Sequence, residues 1–327
     1  CSRSARVTIT KGVVIEGPGY KRCTVRAGTN WVGDRRVFYL NHPKVTLRGM
    51  TITGGQMGTA QNGVGDTRNI AGGGVYIAIN GGTVEDCILE RGYVYNYGAV
   101  SVSGGTLRRC ILRGHENYSS GDSEALRLTK GLVDCCVITN NSHVGNVGEP
   151  SAAVHVSGAN SHLRNTLIAF NRGKAAGGLS IGASVSEIAN CTIVSNTASE
   201  ANGGVKAGSS VPTLCCNNII CDNVAPTNPE MADSIVTYFT YSCSSALNRG
   251  AGNIAADPLF ETRRSRPLFS LSRRSPCIDR GSWSALGETK DAVRAQTDLR
   301  GAARLCGPEV DIGCYECPLK GFTLLVR

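Results

Sequence analysis

The chain of 327 residues is long enough to form one large domain or two ordinary ones. Its 41 glycines, about one residue in eight, exceed the usual share of roughly 7% and predict frequent turns, while their lack of a three-residue period excludes collagen. The net charge of +9 is spread along the chain, which favours acidic partners such as anionic polysaccharide and argues against nucleic acid. No apolar run approaches the ~20 residues that a membrane span requires.

The 15 cysteines are too few for a disulfide scaffold, and their odd number leaves at least one outside any intrachain pair. The chain opens at Cys1 without an initiator methionine or a signal peptide, which indicates a fragment or a processed product. A lipidated Cys1 is an alternative.

A short strand motif of four residues recurs from residue 74 onward. It consists of a small residue, an apolar residue, a variable residue and a second apolar residue. The first apolar positions, at intervals of 25, 26, 28, 25 and 26 residues, are Val75, Val100, Leu126, Val154, Leu179 and Val205. The second apolar positions are Ile77, Val102, Leu128, Val156, Ile181 and Ala207. A unit of ~25 residues cannot bury its own apolar face, so the copies must stack and both sets must form columns inside a solenoid.

A second motif runs in phase with the first and begins at Cys87, Cys110, Cys136, Thr166, Cys191 and Asn218. Asparagine follows five residues later at Asn141, Asn171, Asn196 and Asn223, and an asparagine column precedes the motif at Asn165, Asn190 and Asn217. Asparagine tolerates left-handed backbone and can hydrogen-bond from coil to coil, so it suits sharp turns. The cysteines of the motif are interpreted as small buried hydrophobes rather than metal ligands.

Each repeat therefore holds two or three short strands of period two, separated by turns rich in Gly, Asn and Ser. Fixed leucines are missing, which excludes a leucine-rich repeat, and the repeat is shorter than the blade of a WD-type propeller. The predicted fold is an all-β, right-handed parallel β-helix over residues 1–225, with an irregular C-terminal cap over residues 226–327.

The residues between the two apolar positions are predicted to point outward and to form one stripe along the solenoid. These residues are Tyr76, Ser101, Arg127, His155, Ser180 and Lys206. The three basic members and the ring of Tyr76 make this stripe the candidate ligand-binding face for carbohydrate. The alternative is that they are simply the solvent-facing positions of strands.

No catalytic set stands out in the sequence. A polysaccharide lyase needs a carboxylate cluster for calcium or another way to neutralise a uronate, and a glycoside hydrolase needs two or three carboxylates. The stripe contains none, and the nearest acids give a candidate set of Asp122, Glu124, Arg127 and His155. We predict no metal site and no cofactor, although Ca²⁺ is left open. Another outward set, Glu85, Arg108, Asp134 and Arg164, alternates in sign and predicts a surface charge ladder.

Beyond Asn223 the period is lost, and an ordered set of motifs follows at residues 257–260, 275–281, 297–301 and 310–316 (DPLF, SPCIDRG, TDLRG and VDIGCYE). This set resembles the C-terminal region of bacterial right-handed parallel β-helix repeat proteins of the choice-of-anchor Q type. The resemblance covers about residues 205–316 in motif, and Cys314 replaces a common alanine. It implies a secreted or surface-displayed bacterial protein, assigns no catalytic residue, and leaves the anchor unidentified because residues 321–327 are too short to span a membrane.

The segment after residue 225 is expected to cover the open edge of the last coil, because an uncovered sheet edge invites aggregation. The apolar residues assigned to this role are Leu259, Phe260, Phe269, Leu271 and Ile278. Asp279, Asp298 and Asp311 are expected to bond turn amides or Arg304 rather than to act as an acid–base set.

We therefore expect a monomeric, non-catalytic extracellular or cell-surface protein that binds an acidic polysaccharide or another surface polymer through the stripe. One alternative is a polysaccharide lyase or glycoside hydrolase acting on acidic glycans. The other is a structural spacer or adhesin stalk.

Overall fold

Parallel strands of two to four residues stack into four sheets, to which each full coil contributes one strand. The computed structural model describes residues 7–27, 36–57, 72–94, 98–117, 124–143, 152–208, 214–263 and 265–317. Sheet I contains Val7–Ile9, Phe38–Leu40, Val75–Ile77, Val100–Val102, Leu126–Leu128, Val154–Val156, Leu179–Ile181 and Val205–Ala207. Sheet II contains Val14–Glu16, Thr46–Arg48, Thr83–Glu85, Thr106–Arg108, Gly131–Asp134, Ser161–Arg164, Glu187–Ala189, Leu214–Cys216 and Phe239–Thr240.

The other two sheets complete the coil. Sheet III contains Thr24–Arg26, Thr51–Thr53, Ile88–Glu90, Ile111–Arg113, Val137–Thr139, Leu167–Ala169, Thr192–Val194 and Ile219–Cys221. Sheet IV contains the two-residue strands Gln56–Met57, Tyr93–Val94, Glu116–Asn117, Ser142–His143, Arg172–Gly173 and Thr197–Ala198. The ladders between these strands are parallel, so the prediction of a parallel β-solenoid is confirmed, with a fourth short strand in addition to the two or three expected.

Helix is confined to short segments near the C-terminus of the described chain. One α-helix, Lys290–Ala295, is capped by the Thr289 hydroxyl, and two 3-10 segments span Asp233–Tyr238 and Ser284–Leu286. These segments lie in the tail, where the repeat pattern gives no guidance. Among the described residues, no helix has the length and apolar character needed to cross a bilayer.

The predicted apolar columns fill the interior. Val75, Val100 and Leu126 pair in register and are completely buried, as are their equivalents in the later coils. The second column is also buried, except for Ala207 on the last strand of sheet I, which is partly buried. Cys87 and its equivalents lie in the same cluster, which confirms their interpretation as small hydrophobes.

The two asparagine columns do different work. Asn165, Asn190 and Asn217 adopt left-handed backbone, with φ of 48°, 54° and 57°, at the corner between sheets II and III. The side chains of the other column are buried and bond to one another, with Nδ2 to Oδ1 distances of 2.9, 2.9 and 3.0 Å from Asn141 through Asn171 and Asn196 to Asn223. The left-handed column also has one amide bond between coils, from Nδ2 of Asn217 to Oδ1 of Asn190 at 3.0 Å, so left-handed backbone distinguishes it from the other column.

His115 occupies the position of this amide column one coil earlier. Its Nδ1 accepts from the backbone N–H of Gly92 at 2.9 Å, and its Nε2 lies 3.0 Å from the carbonyl oxygen of Leu89. These are the two bonds that an asparagine amide makes at the same place. Burial lowers the pKa of His115 to about 4, so the imidazole is neutral in this role.

The parallel ladder continues beyond residue 225. Phe239–Thr240 pairs with Cys215 and Cys216, and bridges then join Ile219 to Cys243 and Cys243 to Ile254. The core at this end is closed by apolar side chains of residues 231–247, namely Met231, Ile235, Val236, Phe239 and Leu247.

The residues predicted to cover the last coil lie elsewhere, because the tail runs back along the side of the solenoid. Leu271 is buried, and Phe260, Phe269 and Ile278 are half-buried, in a second cluster against the outer face of sheet III, whereas Leu259 is exposed. The outer face of sheet III supplies Leu167, Ala169, Val194, Ile219 and Cys221 to this cluster. The role assigned to these tail residues was therefore wrong: they cover a flank and not an end.

We expect Asn171→Ala to lower the free energy of unfolding by at least about 3 kcal/mol, because each unsatisfied buried polar group costs ~1–3 kcal/mol. The Asn171 amide bonds the carbonyl of Ile138 at 3.0 Å and the Oδ1 of Asn196 at 2.9 Å, and its Oδ1 accepts twice from Asn141. Urea unfolding measures the change. The matched control is Asn140→Gly at an exposed neighbour with φ of 54°, and equal losses in both variants would contradict a stabilising amide column.

Candidate functional site

The six residues of the predicted stripe do form one row on the outer face of sheet I. Register pairs connect Tyr76 to Ser101, Ser101 to Arg127, Arg127 to His155, and then Ser180 and Lys206. The predicted exposure is wrong for most of the row, because Ser101, His155 and Ser180 are only 2%, 8% and 3% accessible. Arg127 and Lys206 are half-buried. The alternation along each strand predicts on which face of the sheet a side chain lies, but it does not predict whether that face is exposed to solvent.

Tyr76 does not present its ring as a stacking surface. It is buried beside Tyr39, with ring centroids 5.5 Å apart, and the guanidinium of Arg36 lies 4.9 Å above its ring. Arg36 is itself buried and donates to the carbonyl oxygen of Gly72 at 3.3 Å. The aromatic end of the row is thus occupied by an internal cation–π contact.

The candidate catalytic residues lie in the middle of the row. Glu124 is fully buried, and its Oε1 is 3.2 Å from Nη1 of Arg127. The next coil places His155 beside Arg127, and its Nδ1 lies 3.3 Å from Oγ of Ser180. Burial lowers the pKa of Lys206, at the far end of the row. Asp122 lies outside the described residues.

The alternating charges on sheet II form the predicted ladder. Glu85 is the centre of its first half, with Oε2 at 2.7 Å from Nη2 of Arg108 and 2.8 Å from Nη2 of Arg109. In the second half, the Oε2 of Glu187 accepts from Arg164 at 2.6 Å and lies 2.8 Å from Nδ1 of His162. Glu85 and Glu187 are therefore neutralised by cations from neighbouring coils, which is a stabilising arrangement. The predicted member Asp134 instead accepts from Nδ2 of Asn165 at 2.8 Å.

The acidic residues of the tail surround one buried arginine. Arg304 donates from Nη2 to the carbonyl oxygen of Asp311 at 2.7 Å, and its Nε is 3.4 Å from Oε1 of Glu316. The carboxylate of Asp298 accepts the backbone N–H groups of Arg300 at 2.9 Å, Ala302 at 2.8 Å and Glu316 at 3.0 Å.

Asp311 accepts from the backbone nitrogens of Asp279 at 2.8 Å and Cys317 at 2.6 Å. The expectation that these aspartates bond turn amides is confirmed for Asp298 and Asp311. Because of burial, the pKa of Asp311 is raised to about 6 and that of Glu316 to about 8. Glu316 was not singled out from the sequence, although it ends the last tail motif.

Metal binding finds no support in the part of the chain that the structure describes. No three His, Cys, Asp or Glu side chains within it are grouped to hold a metal ion. The carboxylates described above are already engaged by guanidinium groups or amide groups.

A groove that the sequence analysis missed lies at the corner between sheets III and IV. It has a volume of about 560 Å³ and is lined by Asn140, Asn141, Ser142, Phe170, Asn171, Arg172, Ser195 and Thr197. These residues occupy equivalent positions on three consecutive coils. The repeat alignment could have shown it, because Phe170 and Arg172 flank the asparagine column with the only aromatic–cation pair of the three coils.

Comparison of the chain with protein families, with curated proteins and with solved structures finds no match. The likeness of the tail to the choice-of-anchor Q type stands on the tail motifs alone.

We expect Glu316→Gln to change how stability depends on pH. A carboxyl whose pKa is raised on folding stabilises the protein below its unfolded pKa and loses this contribution as the pH rises through its folded pKa. Wild-type protein should therefore lose stability between about pH 4.5 and pH 8, where the folded pKa of Glu316 lies. The variant has a neutral side chain at every pH. The melting temperature of the variant minus that of wild type should therefore increase by about 2–5 °C between pH 5 and pH 8.

Thermal unfolding at a series of pH values measures this difference. Glu200→Gln, at an exposed carboxylate paired with Lys174 at 3.3 Å, is the matched control. A Glu316→Gln curve parallel to that of wild type would show that the buried carboxyl does not titrate in this window.

Proposed function

We propose that the protein is a non-catalytic binder of an acidic polysaccharide or a similar anionic surface polymer, and that it holds its ligand on the outer row of sheet I. The observation that carries the proposal is the register of this row. It sets Arg127 and Lys206 three coils apart, about 14 Å at the usual strand spacing, on either side of the His155–Ser180 contact. Two half-buried cations with a polar centre suit an anionic chain that runs along the solenoid axis.

The burial of the row sets how such a ligand would be recognised. The polar side chains of its centre already contact one another or lie in register, so little ordering is needed when a ligand binds. Recognition then depends on the carboxylates of the polymer meeting Arg127 and Lys206, and not on ring stacking at Tyr76. The net charge of +9 adds a long-range attraction for the same ligands.

The resemblance of the tail motifs supports a bacterial protein that is secreted or displayed at the cell surface, where such polymers are met. It is the basis for our proposed localisation.

A polysaccharide lyase or glycoside hydrolase is the second candidate, and one contact favours it. The buried carboxylate of Glu124 lies 3.2 Å from Arg127, and His155 lies on the neighbouring strand. A hydrolase needs a second carboxylate within about 5–10 Å of the first. The described positions of the row are Tyr, Ser, Arg, His, Ser and Lys and provide none, so binding without catalysis is the stronger proposal.

We expect an acidic-glycan array to show binding that falls about tenfold in Lys206→Ala, since a charge-assisted hydrogen bond contributes ~1.5–3 kcal/mol. Removal of Arg127 alone would take away the cation that lies 3.2 Å from the buried carboxylate of Glu124, so the second variant is Glu124→Gln with Arg127→Gln. Binding should also weaken as salt is added. Arg263→Ala, at an exposed arginine outside sheet I, is the matched control.

Unchanged binding in both row variants would remove sheet I as the site. Release of unsaturated or reducing sugar ends from uronate polymers, lost in the Glu124 and Arg127 double variant, would replace the binding proposal with the enzymatic one. Neither binding nor release would leave the structural spacer.

A further inference from the structure

We propose that the groove between sheets III and IV is a separate binding site for a uronic acid unit of an acidic glycan. The groove takes its ligand class from the proposed function but shares no residue with the row on sheet I. Its volume of about 560 Å³ lies within the range of ~300–1,000 Å³ that is typical of small-molecule sites.

Two columns of side chains form the walls, and both follow from the coil register. The first column is Ser142, Arg172 and Thr197, which are paired across consecutive strands of sheet IV. The second column is Asn140, Phe170 and Ser195, which occupy the left-handed corner position with φ of 54°, 58° and 55°. A cation and an aromatic ring thus lie on the same coil, with hydroxyl or amide groups one coil away on each side.

The floor between these columns is rigid. Asn141 and Asn171 belong to the buried amide column, and their Nδ2 atoms donate to Oδ1 of the next asparagine at 2.9 Å in both cases. The hydrogen-bonded asparagines therefore keep their positions when a ligand binds, and the side chains of the two columns are available to form hydrogen bonds with it. The hydroxyls of Ser142, Ser195 and Thr197 form no hydrogen bond with another residue that the structure describes, so they are open to sugar hydroxyls.

Arg172 selects the charge of the ligand. It is exposed, and within the described parts of the chain no carboxylate oxygen lies within 4 Å of its guanidinium nitrogens. By contrast, Arg48, Arg108 and Arg164 on sheet II and Arg113 on sheet III each pair with a glutamate. A planar guanidinium matches a carboxylate with two parallel hydrogen bonds, which is the group that a uronic acid adds to a neutral sugar.

Phe170 provides the apolar wall. The residue remains 40% exposed although its ring packs on that of Phe269, with centroids 5.4 Å apart. An aromatic residue in left-handed backbone is unfavourable by about 1–2 kcal/mol, and the equivalent corners use Asn140, Ser195 and Gly114. Packing on Phe269 holds the ring in the groove that Arg172 also lines, where the apolar face of a sugar ring can pack on it.

The test is calorimetric titration with tetragalacturonate and with its fully methyl-esterified, uncharged form. Wild-type protein should bind the acid, and the ester should bind at least tenfold more weakly. Arg172→Gln should weaken binding of the acid by about tenfold or more. Phe170→Asn removes the ring while retaining a residue that tolerates the left-handed corner, and it should weaken both probes.

Arg249→Gln, at an exposed arginine distant in sequence, is the matched control and should stay within twofold of wild type. Thermal unfolding verifies that each variant is folded. Wild-type affinity in both groove variants, or equal affinity for acid and ester, would overturn the inference.

The variants also separate the two sites. Loss of binding only in Lys206→Ala and in the Glu124 and Arg127 double variant would leave the proposed function standing and remove the groove. Loss only in Arg172→Gln and Phe170→Asn would do the reverse. No binding of tetragalacturonate by wild type at millimolar concentration would refute the groove, while the glycan array would still decide on sheet I.

Discussion

The in-register parallel ladder between coils is the constraint on which the rest of the structure depends. It brings the same position of every repeat to within one strand spacing, about 4.8 Å, of its copies above and below. The side chain at each position must therefore pack or bond favourably with the equivalent side chains on the coils above and below. Aliphatic side chains meet this condition inside by packing, and asparagines meet it at a corner because an amide is both donor and acceptor. Charged side chains meet it only by alternating in sign, as Arg48, Glu85 and Arg108 do.

The corners show that a column can change its residue type while keeping its bonds. His115 stands in the asparagine column and makes equivalent contacts with two ring nitrogens instead of one amide. The left-handed corner after sheet III accepts glycine, asparagine, serine and even Phe170. The backbone conformation is thus enforced by the coil, and the residue at the corner is free to serve another purpose.

The repeat made the interior predictable, because a period near 25 residues and a strand period of two determine which side chains face inward. The same reasoning placed the row of sheet I in register and gave the alternating ladder of sheet II. It could not give the burial of Ser101 and His155, since a strand period says which way a side chain points and not what lies over it. The groove was missed because the corner columns were judged by their asparagines, and the neighbouring Phe170 and Arg172 were not compared from coil to coil.

The tail was misplaced for a related reason, and the sequence did carry a sign of its true position. Early strands of sheet III alternate, as in Thr51-Ile52-Thr53, whereas Leu167-Ile168-Ala169 and Ile219-Ile220-Cys221 are apolar throughout. A strand without alternation is buried on both faces, so the later coils require a cover on the outside. The tail supplies it, and Phe269 reaches the corner at Phe170, where the covered flank ends. The groove therefore begins at the margin of the tail, and the packing that covers the flank also fixes the orientation of the ring that we assign to ligand binding.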